Sequence, residues 1–135
     1  MLDEKISKVR DINFVQRDVI IDELCDLIEA KKVPREKEIF IVDELIQILD
    51  SDNNNAVIES ILNLLALEFF NNVCSNKIAN ACARNIHKLD VGSLCHALPI
   101  IAESNLPNKK SLIADYIESD NSTIKQLAKE VITDL

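Results

Sequence analysis

"SDNSTIKQLAKEVITDL", residues 119–135, repeats the plan of "SDNNNAVIESILNLLALEF", residues 51–69. Each begins with a short polar run whose Asn and Asp side chains can cap a helix, and each continues with apolar residues at helical spacing. The shared element is a core template. Ile58-x-x-Ile61-Leu62-x-x-Leu65-Ala66 matches Leu94-x-x-Ala97-Leu98-x-x-Ile101-Ala102 and Ile124-x-x-Leu127-Ala128-x-x-Val131-Ile132, with starts 36 and 30 residues apart. Between them lie partner segments of related spacing, Ile39-x-x-Val42, Ile78-x-x-Ala81-Cys82 and Ile113-x-x-Tyr116-Ile117. The period is that of a stack of helix pairs.

The rest of the chain agrees with an all-α class. Residues 14–31 place Ile20, Ile21, Leu24, Leu27 and Ile28 on one face, and a shorter helix is expected from about Asp3 to Arg10. After Val33-Pro34, "REKEIFIVDELIQILD" continues the pattern through Ile39, Val42, Ile46 and Leu49, because proline opens a helix without losing a needed N–H. Further helices are expected at 54–72, 77–89, 92–104, 108–119 and 122–135, the first of them apolar around most of its circumference and therefore sandwiched. Pro99 falls inside its segment and is expected to bend or break it. One glycine and three prolines leave too little turn chemistry for hairpins. A chain of 135 residues, 47% hydrophobic, fits a single domain, residues 1–135.

These templates resemble HEAT-like repeats, in which an aspartate-containing turn leads into a second helix with an x-x-Leu-Ala core. The resemblance covers residues 36–135 as about three helix pairs, with residues 1–33 as an additional N-terminal element. The arginine usual near the start of the family's second helix is absent and the repeat spacing drifts. The resemblance implies a short α-solenoid; an irregular helical bundle gives the same pattern.

Charge is uneven. The net charge is −8, and all of the excess lies in residues 1–70, where 16 Asp/Glu face 8 Lys/Arg. Such a surface repels phosphate backbones and anionic membranes and attracts basic proteins, so neither nucleic acid nor membrane is an expected partner. At about 100° per residue, Asp18, Asp22, Asp26 and Glu29 fall within an arc of roughly 80° opposite the apolar face of their helix. The next helix aligns Glu36, Asp43, Glu44, Gln47 and Asp50 around Phe40, the composition of an apolar anchor with a charged rim. These ten residues are the expected partner-binding set.

Chemistry has little to work with. A single glycine cannot build a phosphate-binding loop, and no pair among Cys25, Cys74, Cys82, Cys95, His87 and His96 has the i, i+3 or i, i+4 spacing of helical metal ligands. No catalytic residue, metal or cofactor is expected. Four cysteines without a C-x-x-C pair and without a leader pattern point to a reducing cytoplasm. Short length, one-sided acidity and no catalytic set resemble a bacterial immunity protein that neutralises a basic, nuclease-type toxin. The alternative is a helical-repeat adaptor or scaffold within a larger assembly, bound mainly through apolar contacts.

Overall fold

The computed structural model describes residues 1–135 as eight α-helices with no strand: α1 (Leu2–Arg10), α2 (Arg17–Glu29), α3 (Arg35–Ser51), α4 (Asn55–Phe70), α5 (Ser75–Asn85), α6 (Val91–Glu103), α7 (Lys109–Ala114) and α8 (Ser122–Thr133). A 3₁₀ turn, Ile86–Lys88, extends α5. The repeated polar runs are helix starts. Asn54 Oδ1 accepts the Val57 N–H at 3.2 Å to begin α4, and Asn121 Oδ1 accepts the Ile124 N–H at 3.1 Å to begin α8. Asp90 does the same for α6, accepting from Ser93 at 3.0 Å. Each bond satisfies one of the donors that a helix N-terminus leaves without an intrahelical partner.

The even-numbered helices pack side by side in chain order, α2 on α4, α4 on α6 and α6 on α8. In a second row α1 packs on α3 and α3 on α5, and each odd helix also packs on the even helix that follows it. α7 is short and packs on α6 and α8. One continuous apolar core runs between the rows. α4, with neighbours on both sides, buries Ile58, Ile61, Leu62, Leu64 and Leu65, as expected of a helix apolar around its circumference.

Side-chain pairs across the odd row show its register. Arg10 meets Glu44, Asp43 meets Lys77 and Asp50 meets Arg84, and the partners in each pair are 34 residues apart. Arg17 and Asp52 are 35 apart. A constant offset between successive helices is what a helical repeat produces, and the fold is compatible with one.

Three local expectations change. The expected core position Ile39 is exposed, because α3 buries the arc carrying Ile41, Val42, Leu45, Ile48 and Leu49, and Ile39 falls at its edge. α6 runs through Pro99 as one α-helix. Pro99 lies on the half-exposed side with Cys95 and His96, so the hydrogen bond it removes is not taken from the packed face. The segment expected as helix over 108–119 holds its helix only to Ala114 and continues in turns.

Candidate functional site

The two acidic rows are treated differently by the fold. On α2, Asp22, Asp26 and Glu29 are exposed and Asp18 is half-buried, and none of the four takes part in an ion pair. Val19 is exposed on the same face. The neighbouring even helices add no cation, since α4 and α6 contain neither lysine nor arginine. The acids act on what lies beneath them. The buried Cys25 thiol is pushed up to about 11, first by burial and then by the negative charges of Glu29, Asp26 and Asp22.

On α3 the expected row of free acids is interleaved with cations from its neighbours. Glu44 accepts from Arg10 Nε at 2.8 Å and lies 2.7 Å from Arg10 Nη2. Asp43 accepts from Lys77 Nζ at 3.1 Å. Asp50 accepts two bonds from Arg84, at 2.9 and 2.8 Å, and one from Asn85 Nδ2 at 2.7 Å. The Arg84 hydrogen bonds are the first cause of an Asp50 carboxyl held below its ordinary range. These acids tie α3 to α1 and α5.

Glu36 and Gln47 remain exposed on α3 outside any ion pair. Phe40, between them, is only 37% exposed, and the Arg10 guanidinium stands 5.9 Å from its ring centroid. The ring thus has a cationic cover from α1. The α2 and α3 rows belong to different layers of the stack, and the structure does not join them into one surface. Of the ten expected residues, Asp18, Asp22, Asp26 and Glu29 form the coherent group that makes no ion pair, with Lys5 and Lys32 lining a hollow beside Asp26 and Lys31 and Arg35 one beside Glu29.

Sequence reasoning missed two charged residues that the fold treats as special. Arg17 is 4% exposed, and its guanidinium donates to Val9 O at 2.8 Å and to Asp52 Oδ2 at 2.6 Å. The other is Glu68, fully buried on α4, where neither carboxyl oxygen has a hydrogen-bond partner. Its helical phase, three residues after Leu65 and seven after Ile61 on the buried arc of α4, was the available signal. Burial, and then the negative charge of Glu38, push its carboxyl up to about 7, with Arg35 opposing.

Between the ordinary value of 4.5 and about 7, the folded chain holds a proton on Glu68 that the unfolded chain has released, so this group makes stability fall as pH rises through that window. Glu68→Gln should flatten the fall and leave the variant the more stable of the two above pH 7, because an amide has no charge to desolvate or to be repelled by Glu38. Urea midpoints for both proteins at two pH values, one on each side of the window, check this. Equal pH dependence in both would exclude Glu68 as its source.

Burial pushes the Cys82 thiol up to about 12 and also raises Cys74. All four cysteines are free, and no three His, Cys, Asp or Glu side chains come together as a metal-holding group. No helix is long and apolar enough to cross a membrane. No known family model matches the chain, and no curated protein or solved structure is significantly similar to it.

Proposed function

We propose that this chain is a non-catalytic binding protein that captures a basic protein partner on the exposed face of α2. Within that class we propose an immunity protein, built as a short HEAT-like stack, that covers the cationic cleft of a nuclease-type bacterial toxin. The observation that supports the reading is the contrast between the rows. Acids that tie helices together, Asp43, Glu44 and Asp50, have internal counter-ions, whereas Asp18, Asp22, Asp26 and Glu29 form no ion pair.

Clustering acids on one face costs stability, since like charges at i, i+4 each oppose the helix by about 0.2–0.5 kcal/mol. The same charges create a field that raises the encounter rate with a basic surface. A toxin that cleaves nucleic acid needs a basic cleft, and an acidic face is its complement.

Asp22→Lys/Asp26→Lys separates the two effects. The free protein should be unchanged or slightly more stable, because lysine gains attractive spacing to Asp18 and Glu29. Association with the basic partner should slow by about tenfold or more at low salt and much less at high salt. The direct test is to express the product of the adjacent reading frame with and without this chain. Relief of toxicity by wild type and its loss with Asp22→Lys/Asp26→Lys support immunity. A non-toxic neighbour that forms no complex excludes it.

A further inference from the structure

The segment joining α1 to α2 is inside out. Ile12 and Val15 expose 76% and 90% of their surface, while the buried residue that closes the segment is an arginine, Arg17. Burial of apolar surface drives folding, so the fold by itself favours the reverse arrangement.

Nor is the segment loose. Asp11 Oδ1 accepts the Asn13 N–H at 3.0 Å, and Asp11 O accepts the Phe14 N–H at 2.9 Å. Phe14 turns inward, packed against the core with the Lys8 ammonium 5.7 Å from its ring centroid. Arg17 fastens the far end to Val9 and Asp52. Two branched apolar side chains are therefore presented to water on a braced backbone.

Their position relative to the acids gives them a use. Val15 lies in the turn that leads into α2; within α2, Val19 is also exposed, and Asp22, Asp26 and Glu29 follow it at i+3, i+7 and i+10 on the same face. The face therefore has an apolar head and an acidic body. The cations nearest this segment each have an acidic partner, Lys8 with Glu4, Arg10 with Glu44 and Arg17 with Asp52.

We propose that Ile12, Val15 and Val19 are the apolar anchor of the partner-binding surface, and that its occupant is a cationic segment carrying a large apolar side chain beside its lysines or arginines. This rests on the function proposed above. The acids set the rate of encounter and the anchor sets the rate of escape, the usual division between charged rim and desolvated centre. A second copy of this chain is a poor occupant, because a two-fold contact would set the Asp22 and Asp26 rows of both copies against each other.

The probes are two labelled synthetic peptides of equal positive charge, one with Lys and Leu spaced as an amphipathic helix and one with every Leu replaced by Ser. Wild type should bind the Lys/Leu peptide at least about tenfold more tightly than the Lys/Ser peptide. Ile12→Ser/Val15→Ser, which touches only exposed positions, should remove that ratio without weakening the Lys/Ser peptide or lowering the thermal midpoint. Asp22→Lys/Asp26→Lys should weaken both peptides. A ratio that survives Ile12→Ser/Val15→Ser overturns the anchor and leaves the acidic surface standing. Failure of wild type to bind either peptide at low salt overturns both readings. Dimerisation of wild type that the serine variant abolishes would assign the cluster to a second copy and overturn the proposal.

Discussion

Arg17→Leu is expected to destabilise the protein by about 3–5 kcal/mol, the range for removing one partner of a buried ion pair. The guanidinium and the Asp52 carboxylate are both nearly enclosed, with 5% and 9% of their side chains exposed, and the pair joins the start of α2 to the turn between α3 and α4. The same arginine also satisfies Val9 O at the end of α1, so leucine would leave two acceptors short of a donor. For Asp52, burial is the largest influence and acts upwards. The Asn54 N–H at 2.8 Å and the Arg17 hydrogen bond and charge overcome it, and the carboxyl is held below its ordinary range.

A depressed carboxyl contributes stability above its unfolded value of 3.8, and that contribution is lost as pH falls through the folded value. Arg17→Leu should therefore also reduce the acid sensitivity of the fold. Adding Asp52→Asn, which keeps the turn acceptor without the charge, should recover part of the loss. Urea unfolding of the two single variants and the double variant provides the cycle. A loss under about 1 kcal/mol for Arg17→Leu would mean that the pair is open to water in solution.

The second large effect is expected at Leu65, where Leu65→Ala should cost about 2–5 kcal/mol. Leu65 is fully buried on α4, which is packed between α2 and α6, so the cavity has little freedom to collapse. Leu127 occupies a leucine of the x-x-Leu template on α8, yet it is only half-buried, and α8 turns Thr123, Gln126, Lys129, Glu130 and Thr133 to solvent. Leu127→Ala should cost about 1–2 kcal/mol, because part of its surface already meets water. Chemical denaturation of the two variants decides the matter. Equal losses would mean that α8 is covered in solution, and a loss near zero at Leu65 would mean that the α4 core is not packed as described.

The all-α class and the starts of α4, α6 and α8 were legible in the chain without any knowledge of its packing. Both are local properties: apolar period along one segment decides helix against strand, and a capping Asn or Asp acts within three residues, as Asn54, Asp90 and Asn121 do. The placing of the α2 acids on one face is local too, since angular position around a single helix needs no neighbour. Which acids remain free is a matter of contacts between helices. Helical phase makes Asp22 and Asp43 look alike, but Lys77 reaches Asp43 only because α5 packs on α3, and Arg10 reaches Glu44 only because α1 does. Burial of Arg17 and exposure of Val15 have the same origin. Both lie next to a helix start where period is lost, and hydropathy states what a side chain prefers while the packing of other helices fixes where it goes.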